Sequence, residues 1–169
     1  MKYTSSEANK LLRKINADYQ SLIIKERESR SFLAATGEDP ESVRPDYDYQ
    51  KVQDELREMA RKIRILKHAI NVFNTTTIVD GFNMTIDEML VVLPQLTERV
   101  NALDAMRTAL PKKRERTFGT GTNATIDYRY INYDLDVVSG DYETVYDLLS
   151  KAQTALDLIN NTAVMEIEL

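Results

Sequence analysis

The chain has 169 residues, with 22 Lys and Arg against 27 Asp and Glu, a net charge of −5, a pI near 5.0 and no cysteine. A chain of this length is one domain by the usual prior and can bury roughly 70% of the surface its unfolded form exposes. The missing thiols exclude disulfides, thiolate nucleophiles and Cys-based zinc sites, and the acidic balance opposes general nucleic-acid binding, which needs cations to displace counterions from phosphate.

Thr4 and Glu7 have the spacing of a capping box, and from there Ala8, Leu12, Ile15, Tyr19, Leu22, Glu26, Ser29 and Leu33 recur in steps of three and four. This predicts a first helix over residues 5–36, with Gly37 at the position that ends it. Glu26 and Ser29 interrupt the apolar stripe within the polar segment Lys25 to Ser31, so the last third of the helix should be more solvated. Glu38 to Pro45 holds two prolines and three acidic residues and reads as a polar turn.

The second helix, 47–73, is the strongest element. Tyr49, Val52, Leu56, Met59, Ile63, Leu66, Ile70 and Phe73 fill all eight seam positions with apolar side chains at the 3.5-residue period of a coiled coil. Asp46 or Asp48 can cap it, and at 1.5 Å per residue it is roughly 40 Å long. The short connection and matched stripes predict an antiparallel helical hairpin. Its leftover apolar surface must be covered by the later helices or by a second copy of the chain.

Asn74 to Thr77 is poor helix material, and Ile78-Val79, Asp80-Gly81 and Phe82 predict a small β-hairpin within 77–84 on a type I′ turn. Thr85 and Glu88 form a second capping box ahead of Met89, Leu93, Leu96, Val100, Leu103 and Leu110, predicting a third helix over 86–110. Pro94 inside it predicts a kink or a restart near Leu93. Alternation of Ile126, Tyr128 and Tyr130 with Asp127, Arg129 and Ile131 predicts a strand over 125–134. Its expected partner is a short strand over 163–169, where Met165, Ile167 and Leu169 alternate with polar residues. Between them a fourth helix, 141–161, runs on Val145, Leu149, Ala152, Leu156 and Ile159, capped by Ser139 or Asp141. The expected fold is a single, mainly α domain over 1–169: a long antiparallel helical hairpin or coiled coil, two further helices forming a bundle, and a small β-hairpin with short strands.

Lys112, Lys113, Arg114 and Arg116 make the dense cationic cluster of the chain. One reading is a solvated helix end, where the dipole favours cations. The other is an anion contact beside Tyr128, Tyr130 and Tyr133, because cations near aromatics are what stacking platforms use. Gly119 to Thr125 lacks both the third glycine of a dinucleotide loop and the Gly-Lys-Ser/Thr end of a phosphate loop. Asp134, Asp136, Asp141 and Glu143 invite comparison with a calcium loop, but Val138 stands at its fifth position and Gly140 falls one residue late, so cap and turn roles are expected. His68 is the single histidine, lies off the seam and reads as a surface residue. Asn74, Asn83, Asn123 and Asn160 each begin an Asn-x-Ser/Thr sequence, read as turn and cap chemistry. No catalytic, cofactor or metal set is assigned. Met1 to Asn9 lacks an apolar signal core, and the longest apolar run, Met89 to Leu93, is far short of the roughly 20 residues that cross a bilayer, so a soluble cytoplasmic protein is expected.

Glu38-Asp39-Pro40 at the turn, then Ile70-Asn71, Asn74-Thr75-Thr76 and Val79-Asp80-Gly81 leading into Thr85, together with the asparagines and acidic strand of Leu158 to Leu169, resemble a family of small uncharacterised bacterial coiled-coil proteins. Some of its members carry the name septicolysin. The likeness spans about Asn9 to Leu169, with Thr162 standing where the family pattern carries a tryptophan. The resemblance implies a helical fold and supplies no catalytic residues. The leading expectation is therefore a self-associating coiled-coil protein, a homo-oligomer with a structural or interaction role rather than an enzyme. The alternatives are a binding module for an anionic partner, nucleic acid or another polyanion, through the basic and tyrosine segments, and a metal-dependent enzyme using the carboxylates of Asp134 to Glu143.

Overall fold

In the computed structural model, which describes residues 1–115 and 127–169, Thr4 ends one element and begins the next. Strand β1 is Lys2–Thr4 and helix α1 is Ser5–Ser29. The Glu7 amide donates to the Thr4 hydroxyl at 3.2 Å and the Thr4 amide donates to the Glu7 carboxylate at 2.9 Å, so two orphan donors are satisfied reciprocally, as the sequence predicts. The helix stops at Ser29, short of the expected residue 36. Beyond Leu22 its seam holds no apolar residue until Leu33, which is 95% exposed, so no burial offsets the entropy of fixing the last turns. Gly37 has the positive φ of a cap residue, yet it sits outside the helix in a turn closed by the Glu38 amide on the Ala35 carbonyl.

A single helical turn, α2 (Pro40–Val43), is capped by Asp39 and leads to helix α3, Tyr49–Thr76. Asp48 caps α3 by accepting the Lys51 amide at 3.1 Å. The helix outlasts its expected end at Phe73 because the Thr75 and Thr76 hydroxyls fold back onto the carbonyls of Asn71 and Val72 at 2.9 and 2.7 Å. That local bonding satisfies β-branched residues whose propensity alone argues for a stop. Helices α1 and α3 pack antiparallel, and the Tyr47 hydroxyl just ahead of α3 reaches Glu26 near the end of α1 at 3.2 Å.

The remaining elements are β2 (Ile78–Val79), β3 (Met84–Thr85), α4 (Ile86–Arg107), β4 (Lys112–Arg114), β5 (Tyr128–Tyr130), α5 (Leu135–Thr162) and β6 (Val164–Glu166). The fold is thus mainly helical with short antiparallel strand pairs, as expected. The β2–β3 hairpin closes over residues 80–83 rather than over a two-residue type I′ turn. Gly81 has φ 82° inside a turn closed by the Phe82 amide on Val79, and Asn83, with φ 51°, takes a second left-handed position that asparagine tolerates.

The described residues divide into two compact units. In the first, Met1–Ile78 with Asp157–Leu169, strand β6 pairs antiparallel with β1, setting Lys2 opposite Glu166, Tyr3 opposite Met165 and Thr4 opposite Val164. The alternation of this segment is as predicted, with Met165 and Ile167 buried and Val164 and Glu166 exposed. Its partner is β1 and not the 125–134 strand. An alternating strand needs a buried floor on one side, and β6 finds it against α3, whereas both faces of β5 are exposed. Ala8, Leu66, Ile70 and Phe73 are the other buried apolar side chains of this unit.

In the second unit, Val79–Leu156, the capping box at Thr85 and Glu88 forms as predicted, with bonds of 3.2 and 2.8 Å. Helix α4 runs on through Pro94, which is exposed, and the Thr97 hydroxyl bonds the Leu93 carbonyl at 2.8 Å. It ends at Arg107, so Leu110 is not part of its seam. Helix α5 begins at Leu135, ahead of the expected residue 141, because Asp134 is the cap: its carboxylate accepts the amides of Asp136 and Val137 at 2.8 and 3.3 Å. Ser139 and Asp141 lie inside the helix, and the added turns bury Val138 with Val145 and Leu149 against Val100 and Leu103 of α4.

The Thr85 cap closes the one start of α4, so Thr85→Ala should cost about 1 kcal/mol while Thr85→Ser stays close to the parent. Urea denaturation followed by circular dichroism reads this as a lower midpoint with an unchanged slope.

Candidate functional site

The basic segment is not a helix end. Lys112, Lys113 and Arg114 form β4, paired antiparallel with β5 in the register Lys112 with Tyr130, Lys113 with Arg129 and Arg114 with Tyr128. Arg116, the fourth cation of the cluster, lies outside the described residues. The ribbon is prolonged by the Glu115 amide on the Asp127 carbonyl at 2.9 Å and the Ile131 amide on the Pro111 carbonyl at 3.3 Å.

Because side chains alternate along a strand, this register sorts the cations onto two faces. One face carries Lys112, Arg114, Tyr128 and Tyr130. There the Lys112 ammonium stands 4.1 Å from the Tyr128 ring centroid and 5.4 Å from that of Tyr130, within cation–π range. The opposite face carries Lys113 and Arg129, followed by Glu115 and, by the same alternation, Asp127; the Glu115 carboxylate pairs with the Arg129 guanidinium. All six ribbon side chains are exposed. Tyr133 belongs to neither face: its hydroxyl donates to the Met106 carbonyl at 2.8 Å and ties the ribbon's exit to the last turn of α4.

Beside the ribbon lies a hollow of about 550 Å³ lined by Ala109, Leu110, Lys113, Arg129, Tyr130, Ile131, Asn132 and Tyr133. Leu110, expected on a helix seam, is 67% exposed at this hollow, and Arg129 had no distinguishing sequence signal beyond its place in an alternating strand. A second hollow of about 450 Å³ in the helical unit is lined by Leu22, Glu26, Tyr47, Lys51 and Glu55 among others. There partial burial and the bond to the Glu26 carboxylate push the Tyr47 phenol above its usual value.

The other sequence candidates do not converge. Asp134 is spent as a helix cap, Asp136 lies in the first turn of α5, and Asp141 and Glu143 are exposed along it. Among the described residues no group of three or more His, Cys, Asp or Glu side chains could hold a metal ion. His68 is exposed on α3. No helix among the described residues is long and apolar enough to cross a membrane.

The Arg129 hydrogen bond and charge hold the Glu115 carboxyl below its ordinary value of 4.5. A group whose folded pKa is depressed contributes stability above its unfolded pKa and loses it as pH falls through the folded one. Hydrogen-exchange protection of the Glu115 and Ile131 amides should therefore decline as pH is lowered below 4.5, and Glu115→Gln should flatten that dependence.

No family model and no curated protein matches the chain. It is similar to a solved structure described as a functionally unknown conserved protein from Corynebacterium diphtheriae, at 15% identity and a TM-score of 0.60, over 98% of this chain and 100% of that one. At that identity the likeness is one of fold.

Proposed function

We propose that the protein is a non-enzymatic interaction protein that self-associates by packing the α1–α3 pair as a coiled coil against the same pair of a second copy. Within one chain the matched seams stay open. Leu12, Ile15, Tyr19 and Leu22 of α1 and Val52, Leu56, Met59 and Ile63 of α3 are all only half-buried, while complete burial starts at Leu66. Two helices in contact cover one side of each stripe, and the remaining apolar surface favours a further helical layer.

The observation that carries the reading is how charge is distributed along this pair. On the helices, residues 15–29 and 49–58 hold six acidic and four basic side chains and the connection 30–48 adds five acidic and two basic, whereas residues 5–14 and 59–73 hold seven basic and one acidic. An antiparallel arrangement of two copies sets the acidic half of each pair over the basic half of the other, which steers and orients association. The resemblance to the coiled-coil family points the same way.

Gel filtration with light scattering should give a dimer mass that shifts toward monomer at high salt. Arg64→Glu with Lys67→Glu should weaken the dimer, and adding Asp54→Lys with Glu55→Lys should restore it. A monomer at every concentration and salt removes the proposal.

A second reading, contact of the ribbon with a polyanion, is favoured by the tyrosine face, which carries Lys112 and Arg114 and no acidic side chain among the described residues. It requires salt-dependent fluorescence anisotropy with a single-stranded oligonucleotide that disappears when Lys112, Lys113, Arg114 and Arg116 become alanine. Unchanged binding in that variant discards it.

A further inference from the structure

We infer that the hollow beside the ribbon is a binding site for a small amphipathic carboxylate, a medium-length acyl acid. Its volume of about 550 Å³ falls in the range of small-molecule pockets, which combine an apolar lining with a few placed polar groups. The apolar part is Ala109, Leu110, Ile131 and Tyr133. Leu110 is held open here because α4 has already ended at Arg107, and the Tyr133 bond to Met106 fixes the wall opposite.

The polar part is Tyr130, Asn132 and the two cations Lys113 and Arg129, which the strand register sets directly opposite each other. Like charges at directly opposed positions destabilise a strand pair. Glu115 offsets this from one side by pairing with Arg129. A carboxylate seated between the ammonium and the guanidinium offsets it from the side of the hollow, through charge-assisted hydrogen bonds that Lys113 and Arg129 can donate together. One anionic head against two cations, with an apolar wall below them, selects an acid carrying a hydrocarbon body. A bare anion leaves Leu110 and Ile131 uncovered, and a neutral hydrocarbon makes no charge-assisted hydrogen bond with Lys113. The site draws on none of the α1–α3 surface, so it stands apart from self-association.

The experiment is calorimetric titration of the full chain with octanoate, 1-octanol and acetate, paired with amide chemical-shift mapping. Octanoate should bind saturably at one site, with shifts at Leu110, Ile131 and Tyr133, and more tightly than either octanol or acetate. Lys113→Ala should weaken octanoate about tenfold, as the loss of a charge-assisted hydrogen bond predicts, and leave octanol unchanged. Ile131→Ser should weaken octanoate and octanol alike. Arg129→Lys, which retains the charge, should bind better than Arg129→Ala. The inference is overturned by the absence of saturable octanoate binding, by octanol or acetate binding as tightly as octanoate, by shifts confined to the helical pair, or by an unchanged affinity in Lys113→Ala.

Discussion

A 28-residue helix with an apolar side chain at every seam step cannot hide its stripe behind one 25-residue partner, and the first unit is arranged around that constraint. At one end of α3 the stripe is resolved within the chain: Leu66, Ile70 and Phe73 are buried, and the β1–β6 pair packs there with Met165 and Ile167 inward. Along the rest α3 packs on α1, whose own stripe thins out at Glu26. The interruption that shortens α1 to Ser29 lies across from Val52, and the half-buried stripe continues to Ile63. Stability of the buried end and availability of the open end are two consequences of one sequence pattern.

The second unit shows a different economy. One cluster of its core sets Val100 and Leu103 against Val138, Val145 and Leu149, and the chemistry-bearing residues stand outside that cluster on a two-stranded ribbon. Such a ribbon has no sheet to lean on and is marginal alone. It is supported at its base by the Tyr133 hydroxyl on Met106 and along its length by the Glu115–Arg129 pair and the Lys112 ammonium over two tyrosine rings. The last two supports constrain where a cation points. The ribbon thereby separates Lys112 and Arg114, on its aromatic face, from Lys113 and Arg129, which border the hollow together with Tyr130 and Ile131.

Local signals were legible wherever the deciding atoms lie within a few residues. Both capping boxes, the Asp48 cap, the α3 stripe and the alternation of β6 could be read because they depend on i to i+3 bonds or on a period. Helix ends were less so, since hydroxyl back-bonding at Thr75 and Thr76 and the Asp134 cap compete with propensities that point elsewhere. The candidate site was half legible. The basic cluster and the tyrosine strand were both identified, but not that they pair.

What the sequence determined by itself is the mainly helical class, the places where helices start and the apolar faces they present, because these follow from backbone geometry and side-chain period. Tertiary structure alone decided which strands pair and in what register. Pairing is a long-range competition among segments of similar propensity, and a shift of one residue would send every side chain to the opposite face. On that register rest the separation of Lys112 from Lys113, the meeting of Lys113 with Arg129, and the place of Leu110 in a hollow rather than a helix seam.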